Sequence, residues 1–91
     1  MSNPAETIVE RNSTHGDFDR NADISQELKA VFAKGGITDP TFKEALDMIA
    51  LKLSRILSGR ADYFDHWKDI AGYAHLAEKH CAALDDDGIP F

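Results

Sequence analysis

A single cysteine, Cys81, stands in 91 residues, so no intrachain disulfide can staple the fold. This excludes the disulfide-dense scaffolds of secreted proteins and fits a reducing, cytoplasmic setting. Cys81 reads as a small apolar core residue, since no histidine and acid are arranged around it in a thiol-catalytic motif. A basic segment followed by an apolar run is missing from the beginning of the sequence, so secretion is not expected. Long apolar runs are missing too. The longest is interrupted by Lys52, Ser54 and Arg55, and no membrane span fits it. Strand-type alternation and internal repeats are absent. The charge balance lacks a basic surplus: ten Lys and Arg oppose sixteen Asp and Glu, a formal net charge of −6. Direct binding to DNA or RNA, which needs a basic face, is therefore disfavoured. A small basic pocket, or a basic protein partner, stays compatible with that charge.

Helical periodicity is what the sequence does contain, and it predicts one all-α domain over residues 1–91. Asn3-Pro4-Ala5-Glu6 has the form of a helix start, so a short N-terminal helix through about residue 10 is an option. Asn12 to Asp17 is rich in turn formers, and residues 1–18 read as an N-terminal segment and loop. The first strong helix spans about Asp19–Lys34, with Ile24, Leu28, Val31 and Phe32 on one stripe, and Gly35-Gly36 ends it. Asp39-Pro40 starts the second helix, which continues to Ser58 before Gly59. The apolar face of this second helix is wider than one neighbouring helix would cover, which predicts a central position or contact with another chain. The third helix is expected over about Asp62–Leu84, with Tyr63, Trp67, Ile70, Ala74, Ala77 and Cys81 inward. Asp85-Asp86-Asp87 at its C-terminus oppose the helix dipole, so 85–91 reads as a flexible acidic tail. At this length folding buries about 60–65% of the unfolded surface, and a homodimer or higher oligomer is expected.

The short connection around Gly59-Arg60-Ala61 makes the last two helices an antiparallel hairpin. Lys52 is then set near Asp69, and Arg55 near Asp65 or His66. Lys52 and Arg55 share one face of their helix, and Asp65 and Asp69 share a face of theirs. The result is a charged strip expected beside Trp67 and Tyr73. Its plain reading is a set of salt bridges fixing register, each worth about 0–1 kcal/mol when exposed. Its sharper reading is a ligand site in which Lys52 and Arg55 hold a phosphate or other anion, and Asp65 and Asp69 orient it or bind a metal. Gly72 inside a helix costs about 0.5–1 kcal/mol relative to alanine, and close approach of another helix is its simplest explanation. His66 and His80 are expected to be exposed, and none of the four histidines has zinc-ligand spacing. His15, in the loop with Ser13, Thr14, Gly16 and Asp17, is a further candidate for lining a pocket.

His15-Gly16-Asp17-Phe18, the run Ala45-Leu46-Asp47-Met48-Ile49-Ala50-Leu51-Lys52-Leu53-Ser54-Arg55-Ile56-Leu57-Ser58-Gly59, and Asp65-His66-Trp67-Lys68-Asp69-Ile70-Ala71-Gly72-Tyr73 together resemble a family of small phage and prophage proteins. The resemblance covers roughly residues 10–79. It implies a phage origin and a bacterial cytoplasmic location, and it carries no assigned activity.

Two functional classes follow. The first is a non-enzymatic phage accessory protein that binds a host defence component. Its ligand would be either a host protein or a nucleotide-type signal held at Lys52, Arg55, Asp65, Trp67, Asp69, Tyr73 and His15; no cofactor is expected. The alternative is a magnesium-dependent nucleotide pyrophosphohydrolase resembling the all-helical MazG type, in which carboxylates from neighbouring helices hold the metal. Glu44-Ala45-Leu46-Asp47 fits the second half of that motif. Its first half is missing, with Asp23 and Glu27 as the nearest substitutes. A purely structural or assembly role is the third option, and no motif argues for it.

Overall fold

The computed structural model describes residues 17–84. Three helices account for nearly all of them: α1 (Phe18–Ala33), α2 (Pro40–Ser58) and α3 (Phe64–Leu84). The expected N-terminal helix, His15 and the acidic tail lie outside the described residues. Helix ends follow local chemistry. Asp17 caps α1 by accepting from the Arg20 amide at 3.3 Å, and Asp39 caps α2 by accepting from the Thr41 amide at 2.8 Å, with Pro40 at the first position. These carboxylates satisfy amide groups that have no partner within the helix. After α1, Gly36 adopts φ +66°, the left-handed conformation that glycine reaches without steric cost. The third helix begins at Phe64, not Asp62, because the Arg60–Asp62 ion pair at 3.0 Å holds a turn there. Trp67 Nε1 donates to the Ala61 carbonyl at 2.7 Å and pins the same turn.

α2 lies in the middle, packed against α1 and against α3. At about 100° per residue, Ala45, Lys52 and Ile56 share one side of α2, and Ala50, Ser54 and Ser58 share the opposite side. The first side meets α3, where Lys52 Nζ lies 2.8 Å from Asp69. The second meets α1, where the Ser58 hydroxyl donates to Asn21. The helices therefore form a single antiparallel layer, α1–α2–α3. Ala45, Ala50, Ser54 and Ile56 are the buried residues of α2, so close packing on both sides uses mostly small side chains.

Two faces expected to be inward are turned. On α1 the buried residues are Asn21 and Ser25, whereas Val31 of the expected stripe is exposed. The Asn21–Ser58 hydrogen bond fixes this rotation, and the same antiparallel register sets Ser25 opposite Ser54. On α3, Trp67 is 51% exposed and Ala74 is exposed, while His66 is 1% exposed. His80, also expected outside, is half-buried, with Nε2 2.9 Å from Asp39 and its ring edge-on to Phe42 at 4.8 Å. Lys52–Asp69 and His80–Asp39 both pull the same edge of α3 toward α2, which carries Trp67 outward and His66 inward. The rotation is about 50° on each helix.

Gly72 is a further correction. A methyl group added there meets nothing within 4 Å, so close helix contact does not explain it. In an exposed, open helix interior, Gly72→Ala is expected to stabilise by about 0.5–1 kcal/mol. Gly36→Ala forces an alanine into positive φ and is expected to destabilise by about 1 kcal/mol. Urea denaturation midpoints of the two variants check the opposite signs.

Candidate functional site

Lys52 and Asp69 meet as the hairpin register requires, at 2.8 Å, with the Lys52 side chain only 13% exposed and Asp69 at 43%. The contact that joins them is a charge-assisted hydrogen bond. It holds the Asp69 carboxyl below its ordinary range, against the opposing effect of burial, with the charges of Lys52 and Lys68 and the nearby His66 adding to it. Lys52 is thus committed to an internal partner. Arg55 is half-buried and likewise engaged in contacts. Asp65 is exposed in the first turn of α3. Trp67 does not border the strip. It lies two residues from Asp69, about 200° around the helix, and faces the other side of the layer.

Tyr73 belongs to a different feature. A cavity of about 350 Å³ opens between the start of α2 and the middle of α3, lined by Pro40, Thr41, Glu44, Ala45, Tyr73, Leu76 and Ala77. Its lining is mainly apolar, and the small side chains of Ala45 and Ala77 leave the space open. Glu44 and Tyr73 supply its ionisable groups. The His80–Asp39 contact ties α3 to the same end of α2. The His80 hydrogen bond is the largest influence keeping the Asp39 carboxyl below its ordinary range, burial opposes it, and the Thr41 amide helps. Periodicity could not reveal this cavity, because it is a gap between alanines on two helices.

The carboxylates of the alternative reading do not gather. Glu44 borders the cavity and Asp47 is half-buried. Asp23 and Glu27 are exposed, on the side of α1 away from α2. Among the described residues, no three Asp, Glu, His or Cys side chains form a group that could hold a metal ion. No described helix is long and apolar enough to cross a membrane.

The fold and the cavity can be set beside known proteins. A family model for a domain of unknown function, DUF6378, matches residues 1–81. The chain belongs to the DUF6378 family. That match covers all three helices up to Cys81, so the Lys52–Asp69 contact and the cavity both lie within the DUF6378 domain. No curated protein and no solved structure matches the chain.

The two ion pairs set an acid limit on this DUF6378 domain. The Asp69 and Asp39 carboxyls are both held below the ordinary aspartate range in the folded protein. Their contribution is therefore present above the ordinary carboxyl pKa and is lost as pH falls through the lowered folded one. The contribution of these two carboxyls to stability should fall as pH drops below about 4. In Asp69→Asn and Asp39→Asn the fall should be shallower, as measured by denaturant midpoint against pH.

Proposed function

We propose that the protein acts by binding and not by catalysis, as a self-associating phage accessory protein directed at a host component in the bacterial cytoplasm. The similarity to small phage and prophage proteins supports the phage assignment. A host protein is favoured over a nucleotide-type signal, because Lys52 already has Asp69 as its partner. The observation that carries this reading is the cavity between α2 and α3, of about 350 Å³, within the usual range of about 300–1,000 Å³ for binding pockets. It suits an apolar side chain presented by a partner, with Glu44 at its edge placed to pair with a neighbouring cation. The net charge of −6 favours approach of a basic surface.

Ala77→Trp fills the cavity and Glu44→Lys reverses the charge beside it. Each is expected to weaken capture of a stoichiometric host protein by about tenfold or more, equivalent to about 1.4 kcal/mol, with helix content by circular dichroism unchanged. Undiminished capture by both variants would exclude the cavity. Magnesium-dependent phosphate release from a nucleotide mixture, abolished by Glu44→Ala or Asp47→Ala, would contradict the reading and restore the MazG-like alternative.

A further inference from the structure

The two seams of α2 are built from different chemistry. Toward α3 the seam holds charge and rings: Lys52 Nζ lies 2.8 Å from Asp69, His80 Nε2 lies 2.9 Å from Asp39, and the His80 ring stands edge-on to Phe42. Toward α1 it is small and polar. The buried residues of α1 are Asn21 and Ser25. Across from them Ser54 is fully buried, yet its hydroxyl donates to the Leu51 carbonyl of its own helix at 2.7 Å. The Ser58 hydroxyl reaches Asn21, and it also lies 2.7 Å from the Ser54 carbonyl. A hydroxyl has one proton to donate, so Ser58 shares it between α1 and α2. When α1 leaves, Ser54 and Ser58 keep acceptors within α2, and water replaces Ser58 at Asn21. Parting this seam strands no hydroxyl of α2, and a stranded buried donor is what makes the loss of a polar contact expensive. Ala50 is the buried apolar side chain on that side of α2, so few fully buried carbons return to water.

The two connections differ in the same sense. The turn between α2 and α3 is pinned by side chains, with Arg60 on Asp62 at 3.0 Å and Trp67 donating to the Ala61 carbonyl at 2.7 Å. Residues 34–38, between α1 and α2, are exposed. The amides of Lys34, Gly35 and Gly36 turn back onto the carbonyls of Val31, Phe32 and Ala33, which ties them to α1 itself. Gly36 sits at φ +66°. A short exposed segment with two glycines absorbs a change of backbone angles at little cost. We propose that α1 is a hinged arm. It opens from the α2–α3 hairpin as one unit about residues 34–38, at a lower free energy than global unfolding. Released, a helix of 16 residues is only marginally stable in water, so its amides exchange whenever the arm opens. This inference does not rest on the binding reading. The cavity is lined by residues of α2 and α3 and persists in the opened form.

Hydrogen exchange of the full chain, followed amide by amide by NMR in increasing sub-denaturing urea, reads the opening directly. After correction for intrinsic rates, amides in the middle of α1 should exchange about tenfold or more faster than the most protected amides of α2 and α3. Their urea dependence should be weaker, because opening the arm exposes less surface than unfolding the chain. Ile56→Val, in the α2–α3 seam, should accelerate the protected amides of α2 and α3 about threefold or more. It should leave those of α1 unchanged, because the opened form still contains that seam. Asn21→Ala weakens the closed form against every open one and should accelerate all three helices. A single exchange free energy and urea dependence shared by the three helices overturns the proposal. Equal acceleration of α1 and α3 by Ile56→Val overturns it as well.

Discussion

The position of α2, held on two opposite sides, is the constraint on which the rest of the structure depends. On one side the Ser58 hydroxyl donates to Asn21, and Ser25 and Ser54 are buried along the same seam. On the other, Ala45 and Ile56 pack beside the Lys52–Asp69 contact. Small side chains allow close approach at both seams, and polar contacts select the rotation of the flanking helices. Because the two seams are opposed, the helices cannot close around a common axis, and they lie side by side. Among the described residues, Val31, Leu57 and Trp67 stay exposed as a result.

This geometry also separates the roles of the charged and apolar groups. The strip of cations looks like an anion site on a helical wheel, but Lys52 spends its charge on Asp69 within the hairpin. The pair acts as a register device, with His80–Asp39 as a second one at the other end of α3. Between the two, the cavity opens beside Ala45 and Ala77. A binding role is consistent with such a scaffold: it offers a fixed recess on one face and an apolar plane on the other.

The sequence revealed most where structure is local. Asp39-Pro40, Gly35-Gly36 and Gly59 mark helix limits because capping and backbone conformation act over a few residues. The Lys52–Asp69 contact was legible because a short connection fixes antiparallel register. Helix rotation was not legible. Asn21, Ser25 and His66 are polar, and only their partners on other elements make their burial favourable. Reading Val31, Trp67 and Ala74 as inward followed their apolar character, whereas the rotation of α1 and α3 leaves all three exposed. Gly72 misled for a related reason, since a missing side chain can mark contact or open space equally well. The cavity left no pattern at all, being the space between two alanines.

The central claim is that contacts between polar side chains, and not the apolar stripes, set the rotation of α1 and α3 on α2. Its most direct measurement is a nuclear Overhauser spectrum of the isotope-labelled chain. The account predicts cross-peaks between the side chains of Asn21 and Ser58 and between the rings of His80 and Phe42. Cross-peaks from Val31 and Trp67 into α2, without those two, would contradict it.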